Sequence, residues 1–426
     1  MNRGKNDGRD ARLFEEGYAR AVGLLKECST EDGFVASATK RDNYHRVWSR
    51  DGCIVGLAAL MSGDAELIET CRRTIETLAA HQGHHGEIPS NVDTQSGRIS
   101  YGGTVGRVDG NLWFLICCYE YWRRTEDDAF IERLYETIEK TRFLLGAWEY
   151  NARGLLYVPQ TGDWADEYIQ QGYVLYDQLL YLQAKRGCSA LHRWFHGTED
   201  HVARDQNSRL KRLIRANYWL LESDHVPDDV YHEVLYRKAE RAGCRCGERH
   251  WVPFFSPSGY GYRFDALANT LVSLLDVAED DQRARVDAHI AKEISQDGAR
   301  LLPAFDPVIT PKDEDWQDLQ MGFSYTFKNK PFEYHNGGLW PMVTGFYVVD
   351  LARRGRNELA REYLAGIHRS NAMEMDGRDW SFPEFLHGRK HTPGGTARQA
   401  WSAAAAVLGH HALEGLPVFT IEEGAP

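Results

Sequence analysis

Apolar residues recur at helical spacing in a series of windows along the chain, and Gly, Pro, Asp and Asn interrupt the pattern between them. Two short stretches, 154–160 and 300–305, favour strands within loops instead. The windows predict twelve helices, at 10–27, 51–62, 64–81, 109–124, 127–148, 172–186, 206–221, 264–277, 280–294, 337–354, 356–371 and 397–413. We therefore expect an all-α protein.

Short and long connections alternate between these windows. Loops longer than about 12–15 residues are uncommon in compact domains unless they are functional. A short turn followed by a long loop, repeated about six times, predicts a closed ring of helical hairpins in a single domain over 1–426, with the long loops on one face. A helical solenoid with disordered insertions is the alternative, but these insertions are rich in aromatic residues. The long segments are 82–108, 149–171, 222–263, 295–336 and 372–396.

The charge balance restricts the class of partner. The formal net charge is -12 and no long Lys/Arg block occurs, so we expect neither nucleic acid nor an anionic membrane as a partner. The N-terminal stretch contains no apolar segment of signal-peptide length. We expect a cytoplasmic protein that binds a small neutral or cationic molecule, and self-association into a homo-oligomer stays open.

Eight cysteines are scattered along the chain, several of them inside apolar runs, which argues against a disulfide framework. The nearest approach to a metal motif is "CRCGERH", Cys244 to His250. Its C-x-C lacks the spacing of common zinc knuckles, and no second cysteine pair follows. We therefore predict no metal site.

Acidic residues stand at the starts of two predicted helices. In "YHRVWSRDG", Arg50 and Asp51 follow Tyr44 and Trp48. The aspartate is either a helix cap or, with the arginine and the rings, part of a sugar-binding surface. In "VDGNLWF", Asp109 precedes Trp113, and here a helix cap is favoured over ligand contact.

The stretch "GDWADEY" places Asp163 and Asp166 on either side of Trp164. It is either a solvated acidic turn or the source of a proton donor. A carboxyl beside an apolar ring is poorly solvated when charged, so its pKa rises. A proton donor that works near neutral pH needs such a shift.

Two later loops combine aromatic and polar residues. "KPFEYHNGGLWP" contains His335, Asn336 and Trp340, and "WSFPEFLHGR" contains Trp380 and Glu384. Arg389 and Arg398 lie close in sequence, and we expect them to keep the Glu384 carboxylate ionised. Two carboxyl groups from different loops, with aromatic rings around them, suit glycoside hydrolysis.

Taken together and in this order, five motifs resemble the (α/α)6-barrel glycoside hydrolases: "VWSRDG", "VDGNLWF", "GDWADEYIQQGYVLYDQ", "EYHNGGLWP" and "WSFPEFLHGR…ARQAWSAA". The resemblance is strongest to the neutral/alkaline invertases (glycoside hydrolase family 100) and to bacterial amylo-α-1,6-glucosidase-like proteins. It implies an (α/α)6 barrel of six helical hairpins. By position, Asp166, eleven residues before Asp177, takes the role of general acid, and Glu384 takes that of general base.

Two motifs depart from the family pattern. "VWSRDG" replaces Phe-Val-Arg-Asp-Phe, and "GDWADEY" lacks the two arginines that follow the acid. Both positions border the site, and they bear on the preference for sucrose more than on the hydrolytic chemistry. The "GDW" version also leaves Asp163 as a competitor for the role of acid.

The resemblance implies an inverting hydrolase of small α-glucosides, with sucrose as the leading substrate and no cofactor. The expected sugar-binding residues are Tyr44, Trp48, Arg50, Asp51, Asp109, Trp113, Asp163, Trp164, His335, Asn336, Trp340, Trp380 and Arg398. A sugar epimerase or isomerase on the same barrel is the main alternative, because fold does not fix function. It would use histidines such as His335, His387 and His391 as acid and base. A catalytically inactive sugar-binding module is a third interpretation.

Overall fold

The computed structural model describes residues 3–198, 200–220, 226–241, 249–295, 298–322 and 326–419. A π-helical segment, Ile290–Ile294, extends the tenth of the α-helices found there. Those helices are α1 Arg3–Glu27, α2 Ser49–Ser62, α3 Ala65–Ala80, α4 Val108–Thr125, α5 Asp128–Ala147, α6 Leu175–His196, α7 His201–Tyr218, α8 Glu233–Arg241, α9 Ala266–Leu274, α10 Asp280–His289, α11 Trp316–Met321, α12 Pro341–Arg353, α13 Asn357–Asn371 and α14 Ala400–Leu413.

Six of these helices form a closed inner ring. Helices α2, α4, α6, α9, α12 and α14 each pack against the next, and α14 packs against α2. In α2 the buried positions run without a break from Ser49 to Met61, as expected for a helix that is covered on all sides. The predicted ring of helical hairpins, an (α/α)6 barrel, is confirmed.

Outer helices cover the ring. Helix α3 packs on α2, α5 on α4, α7 on α6, α13 on α12 and α1 on α14. In the outer layer the apolar residues form one stripe, as with Leu67, Cys71, Ile75 and Leu78 of α3. The last inner helix, α14, therefore pairs with the first outer helix, α1.

All twelve predicted helices are present, but several bounds differ: α1 begins at Arg3 instead of residue 10, α7 begins at His201 instead of residue 206, and α6 ends later than predicted. The pattern over 172–186 ended before Gly187, but α6 continues to His196. A Cβ at Gly187 would lie 2.8 Å from the Cβ of Tyr119, so this glycine lets α6 pack closely on α4 and does not end the helix. Helices α8 and α11 lie in the long loops and were not predicted.

Short antiparallel strands connect the long loops to each other. In the three-stranded sheet of Val47–Trp48, Asn91–Asp93 and Arg98–Ser100, Val47 pairs with Val92 and Trp48 with Asn91. The strands Val47–Trp48, Tyr173–Val174 and Phe264–Asp265 each end directly before an inner helix, which brings their loops to the N-terminal ends of the ring. The strands are β1 Ser29–Thr30, β2 Gly33–Phe34, β3 Val47–Trp48, β4 Asn91–Asp93, β5 Arg98–Ser100, β6 Tyr173–Val174, β7 Phe254–Ser256, β8 Gly259–Tyr260, β9 Phe264–Asp265, β10 Phe305–Asp306, β11 Phe385–Leu386 and β12 Pro393–Gly394.

The two predicted loop strands are only partly formed. The stretch 300–305 contributes Phe305 to β10, and 154–160 contributes a single bridge between Val158 and Gly172. Among the described residues, no helix has the length and apolar character needed to cross a membrane.

The cysteines within the described ranges are free and buried, and no cluster of potential metal ligands occurs there. Cys244 and Cys246 of the "CRCGERH" stretch lie outside the described residues.

Candidate active site

The N-terminal turns of the inner helices place charged groups in the mouth of the ring. Arg50 of α2 contacts Asp109 of α4 through Nη1 and Oδ2, 2.8 Å apart, and its Nε lies 3.9 Å from Oδ2 of Asp51. All three residues are buried. Asp109 also accepts a hydrogen bond from the Tyr176 hydroxyl, at 3.3 Å.

The preference for Asp109 as a helix cap was wrong. The residue at the cap position of α4 is Arg107, that of α2 is Trp48, and neither helix has a side-chain cap at its N-terminus. Asp109 and Asp51 instead face Arg50. Burial raises the pKa of Asp51 to about 6, although the Arg50 charge opposes that shift.

The two aspartates of "GDWADEY" have different environments. Asp163 is 2% exposed, and its carboxylate accepts from the Ala165 N–H at 2.9 Å and from Gln170 Nε2 at 3.0 Å. Burial, and then the negative charge of Asp109, hold the pKa of Asp163 well above its usual range. The Asp166 side chain is 20% exposed, and its Oδ2 lies 2.9 Å from Arg107 Nη2. Asp163 thus braces the loop, and Asp166 is the one that a solute can reach.

The Glu384 carboxyl is enclosed by two other segments. It is 2% exposed and accepts from the Tyr44 hydroxyl at 3.0 Å and from the Thr396 N–H at 2.9 Å. At Gly395, where φ is +74°, a Cβ would lie 2.3 Å from Oε2 of Glu384. Only glycine allows both this backbone conformation and this approach.

The expectation that two arginines keep Glu384 ionised was wrong. Arg398 bonds to Glu27, and the Arg389 guanidinium lies 4.2 Å from the centre of the Phe332 ring. Burial raises the pKa of Glu384 to about 7, against the lowering effects of Lys328, the Thr396 N–H and Tyr44. The carboxyl therefore titrates near neutral pH.

Asp166 and Glu384 act on the same two hydroxyl groups. The pKa of Tyr44 is raised by burial first and then by the charges of both carboxylates. The same three causes raise the pKa of Tyr334. Glu384 also contacts this pair directly, because it accepts a hydrogen bond from the Tyr44 hydroxyl at 3.0 Å. The charge of Asp166 also raises the pKa of Asp51.

The structure thus brings together Tyr44, Arg50, Asp51, Asp166 and Glu384. Sequence reasoning missed three polar neighbours, Arg107, Lys328 and Tyr334. Arg107 directly precedes the "VDG" motif and Tyr334 lies within "EYHNGG", so both lie in or beside motifs of the predicted site. Lys328 lies in none of these motifs, so the sequence did not indicate it.

Several of the expected ring platforms are packed below the site. Trp164 and His335 have ring centroids 4.9 Å apart, and His335 stacks on Trp340 with centroids 5.3 Å apart. Each of these three is 1% exposed or less. Trp113 is fully buried and donates to the Tyr176 hydroxyl at 2.8 Å. These rings form a floor under the charged groups and present no open face.

Other expected sugar contacts hold the loops. Asn336 exchanges hydrogen bonds with the backbone of Ile309 and donates to Asn329 O, so its amide is occupied. Arg398 is occupied by Glu27. Trp48 and Trp380 are half-buried and retain exposed ring area.

The histidines of the epimerase alternative have other contacts. Burial holds the pKa of His335 well below its usual range, so this ring is neutral. Nδ1 of His387 accepts from the N–H groups of Arg389 and Lys390, at 3.1 and 3.3 Å. His391 follows on the same β11–β12 turn.

Two segments of the chain match known families. Residues 248–415 match the family described as alkaline and neutral invertase, and residues 31–174 match amylo-alpha-1,6-glucosidase. The first match contains the inner helices α9, α12 and α14 together with Glu384, and the second contains α2 and α4 together with Asp166.

Curated relatives include plant invertases. The chain is 22% identical to a probable alkaline/neutral invertase A, chloroplastic, of Arabidopsis thaliana, and the match covers 84% of this chain and 64% of that protein. It is 24% identical to cytosolic invertase 1 of Oryza sativa subsp. japonica, over 87% and 72% of the two chains. The chain thus spans somewhat less than two thirds of the first relative.

Solved structures share the barrel. A GH63 mannosylglycerate hydrolase from Thermus thermophilus superposes with a TM-score of 0.62 at 14% identity, over 92% of this chain and 99% of that one. A bacterial glucoamylase complexed with acarbose gives 0.65 at 14% identity, over 94% and 56%. The chain therefore has the (α/α)6-barrel fold of these glycosidases, and its resemblance to the alkaline and neutral invertases is confirmed.

Proposed function

We propose that the chain is a glycoside hydrolase of the neutral/alkaline invertase type that cleaves α-glucosidic bonds of small sugars with inversion. Sucrose is the leading substrate. Asp166 protonates the glycosidic oxygen, and Glu384 removes a proton from the water that attacks the anomeric carbon.

One observation carries this proposal. Glu384 is buried beside the mouth of the ring, with a pKa of about 7, and its charge reaches the same tyrosine hydroxyls as that of Asp166. A general base works best when its pKa lies near the operating pH. A base of this kind is ionised above neutral pH, which suits an enzyme active in neutral and alkaline solution.

Neighbouring groups support the two roles. Arg107 stabilises the Asp166 carboxylate that remains after proton donation, through the 2.9 Å contact. Tyr44 and the Thr396 N–H fix the orientation of the Glu384 carboxyl. Arg50 and Asp51 offer donors and acceptors to the hydroxyls of the glucose unit.

The raised pKa of Glu384 also favours a second assignment of roles. A carboxyl that stays protonated near pH 7 could serve as the acid, and Asp166, paired with Arg107, as the base. The two assignments differ in how activity depends on the leaving group. They also predict opposite changes in activity as pH rises through 7. Activity rises if Glu384 is the base, because a base must be ionised, and it falls if Glu384 is the acid, because an acid must be protonated.

Hydrolysis of α-glucosyl fluoride separates the assignments, because fluoride departs with little need for protonation. With Asp166 as the acid, Asp166→Asn keeps most of its activity on the fluoride and loses about 10²–10⁴-fold on sucrose. Glu384→Gln then loses activity on both substrates. The reverse pattern would exchange the roles. Glu374→Gln, an exposed glutamate ten positions earlier, serves as the matched control.

Proton NMR of the first products tests substrate and stereochemistry together. Initial release of β-glucose from sucrose supports inversion, whereas initial α-glucose would mean retention and a nucleophilic role for one carboxylate. If no α-glucoside is cleaved but a free sugar is interconverted, the protein is an epimerase or isomerase and the proposal is wrong.

A further inference from the structure

A large cavity opens beside the loop that carries Asp166. Its volume is about 1150 Å³. Four loop segments form its walls, namely 98–105, 160–171, 254–260 and 315–322. Pockets for drug-sized ligands typically span about 300–1000 Å³, so this space exceeds what one sugar unit fills.

The cavity lies on the Asp166 side of the site. Gln160 and Thr161 precede Asp166 on the same loop, and Ile169 and Gln171 follow it. Val105, two residues before Arg107, forms part of another wall. Among the described residues that line the cavity, none comes from the Glu384 segment, 380–398. Asp166 is not among the described residues that line the cavity, but residues on both sides of it in the loop are. A general acid stands next to the oxygen of the departing group, so a group that extends past Asp166 along this loop enters the cavity.

The walls suit a neutral, hydroxyl-rich molecule. Amide and hydroxyl side chains of Gln160, Thr161 and Ser256 can exchange hydrogen bonds with sugar hydroxyls. The rings of Phe254 and Tyr260 offer apolar surface for sugar C–H groups. Sites of this kind combine apolar surface with a few polar groups that fix orientation.

The charges of the walls disfavour an anionic ligand. Arg98 is the cationic side chain among the described lining residues, and it is exposed. Two carboxylates accompany it, Asp315, which is bonded to Arg263, and Asp318. Sites for phosphates or carboxylates need an excess of donors and positive charge, and the described lining residues provide no such excess.

We infer that the cavity binds the leaving group of the substrate, and that this group is a neutral oligosaccharide of two or more sugar units. The inference rests on the proposed function and on Asp166 as the acid. Sucrose, whose leaving group is a single fructose, then fills only the part of the cavity nearest Asp166.

A substrate series that lengthens only the leaving group tests the inference. Sucrose, 1-kestose and nystose carry one, two and three fructose units on the same glucose. The cavity predicts that kcat/KM rises by about tenfold or more from sucrose to nystose, because added contacts in the transition state raise this ratio.

Gly103→Trp tests whether the cavity causes the rise. Gly103 lines the cavity, and a Cβ there would meet nothing within 4 Å, so a bulky side chain can enter without a backbone clash. We expect the ratio of kcat/KM for nystose to that for sucrose to fall by about tenfold. Gly23→Trp, at an exposed position of α1 that is equally open, should keep the wild-type ratio. Saturation-transfer NMR with inulotriose, a free trisaccharide of fructose, should detect binding that Gly103→Trp weakens.

The outcomes separate the two proposals. Cleavage of sucrose with no dependence on length, or with a dependence that Gly103→Trp leaves unchanged, overturns the cavity assignment alone. Absence of turnover with sucrose, 1-kestose, nystose and maltose overturns the proposed function and the inference with it.

Discussion

Asp166 and Glu384 occupy contrasting environments within one site. The Asp166 side chain is 20% exposed and forms an ion pair with Arg107, whereas Glu384 is 2% exposed and has two neutral donors as its hydrogen-bond partners. Burial favours the neutral form of a carboxyl, and an adjacent cation favours the charged form. The difference shows how one barrel mouth can leave one carboxyl within reach of solvent and enclose another among neutral donors.

Replacement of the buried carboxyl should have the largest effect. We expect Glu384→Gln to lower kcat by about 10²–10⁴-fold while raising the melting temperature. The gain in stability follows because the folded pKa of about 7 exceeds the usual 4.5, so ionisation of Glu384 opposes folding as pH rises through 7. Kinetics and calorimetry at pH 8 measure both, and a lower melting temperature would show that the carboxylate is stabilising instead.

Displacing the Glu384 carboxyl without removing it should lower kcat less than its replacement does. Gly395→Ala puts a methyl group 2.3 Å from Oε2 of Glu384, and we expect kcat to fall by about 10²-fold as the carboxyl shifts. Gly377→Ala is the control, since Gly377 has a similar φ of +73° and open space around its Cβ position. If both variants lose activity equally, the backbone conformation and not the contact is responsible.

The hydrogen bond from Tyr44 should tune the pH profile. This hydroxyl lowers the pKa of Glu384, so Tyr44→Phe should raise it and move the acid limb of kcat/KM to higher pH. We expect a loss of several-fold at pH 7 that is largely recovered at pH 9. An unshifted limb would mean that another group sets it.

A pair of histidines, His368 and His410, changes the free energy of unfolding with pH in the opposite direction to Glu384. Nε2 of His368 lies 2.9 Å from Nε2 of His410, and burial lowers the pKa of these rings to about 3 and about 4. The unfolded rings titrate near 6.5, so the stabilising contribution is present above that pH and is lost as pH falls towards 4. His410→Gln should flatten the fall in unfolding free energy between pH 6.5 and 5, by about 1–2 kcal/mol. Urea unfolding across this range measures it, and an unchanged slope would contradict the assignment.

The helical ring could be predicted because its signal is local. Apolar spacing within each window reports directly on a helix, as in α3. Helix ends were predicted less well, for example where Gly187 packs on Tyr119 within α6 and where α1 and α7 begin before their apolar windows. The acidic motifs were likewise visible within single loops. The burial of Trp113 and Trp340 could not be predicted in this way, because a ring that covers the core and a ring that faces a ligand can have the same local sequence.

The partners of each site residue depend on contacts between distant loops. Tyr44 and Glu384 are 340 positions apart, and Arg107 meets Asp166 across 59 positions. Sequence proximity suggested Arg389 and Arg398 for Glu384, yet the chain carries both guanidinium groups to other partners. Protonation behaviour depends on these contacts, so it could not be predicted from the motifs.

The pairing of α14 with α1 has a consequence for the order of synthesis. Ring closure needs α14, and the Glu384 carboxyl needs the Thr396 N–H just before it. A nascent chain that ends before these residues has an open ring, an uncovered apolar face on α2 and no enclosed carboxyl. The closed ring and the enclosed carboxyl therefore form together, and a growing chain exposes apolar surface until α14 has left the ribosome.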